Sequence, residues 1–371
     1  MKLEGVKVLD LSLFLPGPML TLMMADHGAD VIKIEPAGEG EPTRHLGHEK
    51  NGAAVWFRNT HRGKRSIQLD LKSAEGQTAF WDLAREADVL IEAFRPGVVD
   101  RLGVGYAAVA KVNPKIVYCS ISAFGQTGRY RLRPAHDLAV QALGGTVALT
   151  EGFDGKPAPP GLVATDALSS LTALGGVLMA LLKARETGQG DYIDVSMYDS
   201  LMAWTPNVTS KIFATGEAHI PKHERIAGGQ AMNSLYETAD GQWLALGGSE
   251  VKFARNLLEG LGRVDLLPYA ELPPGPGQYP LRDFFLETFK TKTRAEWEAW
   301  FEGRDVCWAP VRTMKEGFDD PVMAEREMLM FDDEGSEIVG TPIKFTREPA
   351  MIDPVIPELN QHAGQGWRRK V

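Results

Sequence analysis

Two titratable residues bound one glycine-rich stretch of this chain. His136 lies in Arg-Pro-Ala-His-Asp-Leu-Ala and Asp166 in Leu-Val-Ala-Thr-Asp-Ala-Leu. Each stands where an apolar, helix-patterned run begins. Such residues serve many helices as caps. They also suit proton transfer, because a helix N-terminus disfavours an imidazolium and stabilises a carboxylate. A neutral imidazole is a general base; a carboxylate can be a base, a nucleophile or, once protonated, an acid. A third group, Glu250 in Gly-Gly-Ser-Glu-Val-Lys-Phe, reads either as an exposed helix-start glutamate or as an acid assisting the first two.

The elements that must position these groups alternate along the first half of the chain. Val6–Asp10, Asp30–Glu35, Asp88–Glu92, Lys115–Cys119 and Asp191–Met197 read as short strands. Helix-patterned runs, Pro18–His27 and Ala74–Ala87 among them, separate them. Short apolar strands joined through helices predict an α/β fold with a Rossmann-like parallel sheet covered on both faces. Ligands of such sheets bind beyond the carboxyl ends of the strands. Here those ends carry Ser12–Pro18, Glu35–Arg44, Ala93–Gly97 and Ser122–Gly128. A long helix is predicted from near Asp166 to Thr187-Gly188, buried, with Gly175-Gly176 packed against another backbone. Residues 225–320 change texture, with a hairpin around Ser234–Gly248 and helices over Leu281–Gly303. They are expected to form a smaller α+β domain. The large domain is expected over 1–200, completed by 330–371, with a strand over Gly340–Phe345. Residues 200–225 and 320–330 are the expected linkers.

Composition narrows the functional classes. Forty Lys and Arg stand against 49 Asp and Glu, a net charge of −9. That argues against nucleic acid as the main partner, since phosphate backbones need a concentrated basic surface. The two cysteines form no metal or redox spacing, which fits a reducing, cytoplasmic setting. The uncharged run Ala167–Leu182 is shorter than the roughly 20 residues a bilayer span needs, so no membrane partner is expected. A P-loop, a complete dinucleotide fingerprint, HExxH and Gly-x-Ser-x-Gly are all absent, and no metal site is expected. Met19, Met23, Met24, Met197 and Met202 are candidates either for an adaptable apolar pocket or for core filling.

Several segments together resemble the family III CoA-transferases, the CaiB/BaiF family, which includes the α-methylacyl-CoA racemases. They are Leu3–Leu11, Pro16-Gly17-Pro18, Ala25–Glu35, Arg62–Lys72 and Phe94-Arg95-Pro96-Gly97. The resemblance implies coenzyme A as part of the substrate, no prosthetic group, and an interlocked homodimer. It implies CoA contacts from Leu71, Lys72, Phe94, Arg95 and Arg101. The arginine that the transferases place after the second-strand glutamate is Pro36 here. In the transferases the aspartate at the position of Asp166 is a nucleophile; in the racemases it is paired with an upstream histidine as acid and base. His136, Glu250–Phe253 and Asp305–Val311 resemble the racemase branch. Ala167–Ser170 in place of glycines, and the longer segment Gly38–Arg62, resemble the transferases. Two activities are therefore implied: racemisation of 2-methylacyl-CoA thioesters, or CoA transfer between carboxylic acids.

Overall fold

A computed structural model describes residues 1–368 and divides into two compact units. Among the described residues the first comprises 1–144, 162–204 and 320–368, the second 145–161 and 205–319. The second unit thus takes in 145–161, which the sequence reading placed in the large domain.

The first unit is built on six parallel strands: β1 (Lys7–Asp10), β2 (Asp30–Glu35), β3 (Arg65–Gln68), β4 (Val89–Glu92), β5 (Val117–Ser122) and β6 (Asp191–Ser196). Their order across the sheet is β3-β2-β1-β4-β5-β6. The order reverses between β1 and β4, so the loops after these two strands part and leave a crevice at their carboxyl ends. Side chains alternate between two buried layers, as strand geometry requires. Val8, Val31, Val89, Ile91 and Cys119 face one layer, while Leu9, Ile32, Ile34, Leu90 and Tyr118 face the other. The first layer is covered by α1 (Pro16–Asp26), α3 (Asp137–Leu143) and α4 (Ala164–Thr187); α2 (Ala74–Ala84) covers the second.

Three sequence expectations need correction. β3 was not foreseen, because Arg-Ser-Ile-Gln holds one apolar residue. It is a strand because its polar groups find buried partners: Arg65 pairs with Asp30 at 3.3 Å and Ser66 Oγ donates to Glu35 at 2.5 Å. Gly340–Phe345 is not a strand; the chain there follows a hairpin of β10 (Leu329–Phe331) and β11 (Glu337–Val339). α4 is not wholly buried. Ala173, Leu174, Val177 and Leu181 enter the core, while Leu171, Met179 and Leu182 on the opposite face are exposed. By length and composition alone this 24-residue helix is apolar enough to cross a membrane. Its glycine pair does not meet another backbone: Gly176 packs on the Ile193 side chain, and Gly175 faces open space.

In the second unit, β7 (Asn233–Glu237), β8 (Trp243–Gly247) and β9 (Trp308–Pro310) form an antiparallel sheet in the order β9-β8-β7. α5 (Val251–Gly260), α6 (Tyr279–Phe289) and α7 (Arg294–Phe301) supply its core with Leu257, Phe285, Phe289, Trp297 and Phe301. Trp297 is fully enclosed, and its Nε1 donates to the Phe289 carbonyl at 2.8 Å, so the largest core side chain keeps its polar atom satisfied. A capping box at Thr293 and Glu296 fixes the start of α7.

Candidate active site

The crevice beyond β1 and β4 opens into a cavity of about 1080 Å³. His136 and Asp166 both line it, with Phe14, Trp56, Ile121 and Met197 among its apolar walls. Of the five methionines considered, Met197 is the one on this wall, while Met23 and Met24 lie in the core.

His136 occupies the N-cap position of α3, yet its ring makes no capping hydrogen bond. The imidazole instead meets the edge of Phe14, with ring centroids 6.3 Å apart. Asp166 is not an N-cap. α4 begins two residues earlier, at Ala164 after Val163, which places Asp166 in the first helical turn. The capping interpretation is thereby removed for Asp166, and for His136 the ring is left free of that duty.

Asp137, which the sequence reading passed over, ties the two helix starts together. Its Oδ1 accepts from the Thr165 backbone N–H and the Thr165 hydroxyl, each at 2.7 Å. Its Oδ2 accepts from Gln141 Nε2 at 2.6 Å. Thr165 N–H belongs to the first turn of α4, where no intrahelical acceptor exists. Asp137 therefore caps α4 from α3, and the residues adjoining this link, His136 before Asp137 and Asp166 after Thr165, are held in register. The pattern His-Asp followed 28 residues later by Thr-Asp was the available signal, but only the fold shows that the two pairs meet.

This arrangement alters the proton affinity of Asp166. Burial, and then the negative charge of Asp137, push its carboxyl up to about 7. A carboxyl in that range exchanges a proton readily near neutral pH, which general acid–base chemistry requires. At the end of β4, the carboxyl of Glu92 is also pushed up to about 7, chiefly by burial; its hydrogen bonds from Ser120 and the Phe94 N–H pull the other way. The Phe94 bond is 2.7 Å long and anchors the Phe94–Pro96 loop.

A second cavity of about 360 Å³ lies beside the first and shares Leu13 and Phe94 with it. Leu71, Lys72 and Phe94 line it together with Pro36. Arg95 lines the larger cavity, where Arg131 and Arg133 join it as further cations. Arg101 lines neither; it ends a short helix, Val98–Arg101, and is exposed. Glu250 belongs to the second unit, where it is the exposed N-cap residue of α5. In the same unit Gly247 donates its N–H to the Cys307 carbonyl. A Cβ on Gly248 would lie 2.6 Å from Phe253 and 2.7 Å from Cys307, so this glycine permits close packing.

A parallel sheet with strand order 3-2-1-4-5-6, with a histidine and a half-buried carboxyl lining the crevice at its switch point, is the architecture of an α/β protein that binds a small-molecule ligand there. The sequence profile of CoA-transferase family III matches residues 3–363, and the chain belongs to that family. The chain is 30% identical to a succinyl-CoA–D-citramalate CoA-transferase of Chloroflexus aurantiacus, covering 97% of this chain and 92% of that one. It is 34% identical to an α-methylacyl-CoA racemase of Mus musculus, covering 90% and 84%. A solved CaiB/BaiF family protein from Brucella suis superposes with a TM-score of 0.84 at 30% identity over 97% of both chains. The protein is thus an enzyme of the family that holds both racemases and CoA-transferases.

Proposed function

We propose that the protein is a racemase or epimerase of 2-methyl-branched acyl-CoA thioesters. One observation carries this reading: His136 and a carboxyl that titrates near neutrality, Asp166, open into the same largely apolar cavity. The thioester acidifies the α-carbon. One of the two groups takes the α-proton, the electron pair delocalises onto the thioester oxygen, and the other group returns a proton to the opposite face. Donors for the enolate oxygen are first-turn N–H groups of α3 and α4 other than that of Thr165, which Asp137 occupies. The adenosine end of coenzyme A is assigned to the smaller cavity, against Leu71, Lys72 and Phe94, with Arg95 at its junction with the larger one. Arg101 and Glu250 keep the roles that family resemblance implies, a phosphate contact and a catalytic acid. The exposed stripe Leu171, Met179 and Leu182 supports a homodimer, because a contiguous apolar helix face favours burial against a partner.

CoA transfer is the second reading, favoured by the similarity to the citramalate enzyme. There Asp166 attacks the donor thioester and releases the CoA thiolate, giving a mixed anhydride. The thiolate then attacks the aspartyl carbonyl, forming an aspartyl-CoA thioester and freeing the donor acid, and the acceptor carboxylate reverses the sequence. Incubation of an enantiopure 2-methylacyl-CoA in deuterium oxide separates the two. Racemisation brings deuterium to the α-carbon with loss of configuration. Retained configuration without deuterium, and CoA appearing on an added carboxylate, would replace the first reading with the second.

A further inference from the structure

Between β1 and α1 the chain makes a tight loop along the cavity. Phe14 in this loop has φ of +65°, the left-handed region that bulky side chains seldom occupy. Its ring stands edge-on to His136, with planes at 86°, and lines the same cavity. Backbone strain of this kind persists only where the surroundings over-determine it, and it gathers at functional sites.

The surroundings here are a buried cluster of four charges. Glu41 Oε1 accepts from the Phe14 backbone N–H at 3.0 Å. Its other oxygen, Oε2, lies 3.4 Å from Lys33 Nζ. Lys33 in turn donates to the Ser12 carbonyl and lies 3.6 Å from Asp10. Asp10 accepts from the Ser12 N–H at 3.0 Å and pairs with Lys64 at 3.1 Å. All four side chains are shut off from solvent. Gly17 lets the loop close, since a Cβ there would sit 2.1 Å from Ser12. Two carboxylates and two ammonium groups balance, but a buried ionic cluster stabilises a fold no better than well-packed apolar residues. What this one does that apolar residues cannot is grip three successive parts of one loop: the Ser12 N–H, the Ser12 carbonyl and the Phe14 N–H.

We infer that Glu41 is a positioning residue for proton transfer: it fixes Phe14 in its left-handed conformation, and Phe14 sets the orientation of the His136 ring in the cavity. Glu41 itself lines neither cavity and is fully buried, so it acts through Phe14. The inference rests on the reading of His136 as one of the two bases.

The test compares Glu41→Ala, Glu41→Gln, Phe14→Gly and the double variant Glu41→Ala/Phe14→Gly. Two readouts are taken: kcat and KM for α-proton exchange, and the NMR shift of the His136 Cε1–H in the ligand-free enzyme, assigned with His136→Gln. Glu41→Ala is expected to lower kcat about 10–100-fold, the scale of a small misplacement of a reacting group. KM should stay within about threefold, because the CoA contacts lie elsewhere. The His136 resonance should move toward its position in Phe14→Gly. Glu41→Gln, which keeps an acceptor for the Phe14 N–H, should recover most of the rate. In the Phe14→Gly background, Glu41→Ala should cost at most about twofold more. An equal kcat loss in both backgrounds, or an unmoved His136 resonance in Glu41→Ala, would overturn the inference. If Glu41→Ala does not fold, Phe14→Gly decides: kcat and the His136 resonance must both change, and either one unchanged refutes the role. The resonance needs no turnover, so a wild-type enzyme that fails to exchange α-protons would sink the racemase reading and leave this test standing.

Discussion

Asp137 offers the sharpest perturbation of the site without touching either proposed base. Replacing it with alanine removes three accepted hydrogen bonds, two from Thr165 at 2.7 Å and one from Gln141 at 2.6 Å. Hydrogen bonds to a charged group contribute about 1.5–3 kcal/mol each, but losses at one site do not add, and the adjacent cavity admits water. The Thr165 N–H, left buried without an acceptor, costs about 1–3 kcal/mol. Asp137→Ala should therefore destabilise the protein by roughly 3 kcal/mol, a sizeable part of a typical 5–15 kcal/mol. Asp137→Asn behaves differently. Its Oδ1 still caps Thr165, so most of the stability remains, while the negative charge that raises Asp166 is gone. The Asp166 limb of the pH–rate profile should then move down by about one pH unit. Urea unfolding gives the first effect and the pH dependence of kcat gives the second. An alanine variant that unfolds at the wild-type midpoint, or an asparagine variant with an unmoved limb, would refute the coupling of the two helix starts through Asp137.

Other consequences can be checked singly. With Asp166 at about 7, the direction in which it acts as base should speed up as pH rises through 7, and the direction in which it acts as acid should slow; initial rates from the two enantiomers report these opposite limbs. Glu92 has a folded-state value raised to about 7, so its contribution to stability is complete below about 4.5 and is lost as pH rises through 7. Glu92→Gln should accordingly be more stable than wild type at pH 8 by about 3 kcal/mol and show no such advantage at pH 4, measured by urea midpoints at both values. Gly248→Ala should cost about 1–3 kcal/mol in the same assay, because its Cβ meets Phe253 and Cys307; an unchanged midpoint would mean the loop yields freely.

Much of the fold could be read from periodicity. β1, β2, β4, β5 and β6 announce themselves as short apolar runs, and their loops hold the crevice that lines the cavity. β3 escaped because its stability lies in partners elsewhere in the chain, Asp30 and Glu35, and not in its own pattern. The apolar run of α4 suggested full burial, yet apolar residues on both faces do not say which face has a neighbour within the chain. At the site, His136 and Asp166 were legible as residue types at helix starts. Asp137 was not, because its bonds to Thr165 span 28 positions. Phe14 was invisible for another reason: nothing in Leu-Phe-Leu-Pro signals a positive φ, which Glu41 imposes from a separate loop.

The pairing of His136 and Asp166 on one α-carbon is the point on which the racemase reading stands. It is tested most directly by following deuterium entry and configuration with His136→Gln and Asp166→Asn, each given the two enantiomers of a 2-methylacyl-CoA separately. Wild type is expected to convert both enantiomers to the same α-deuterated mixture, and neither variant to interconvert them. A His136→Gln enzyme that still racemised at the wild-type rate would contradict the pairing.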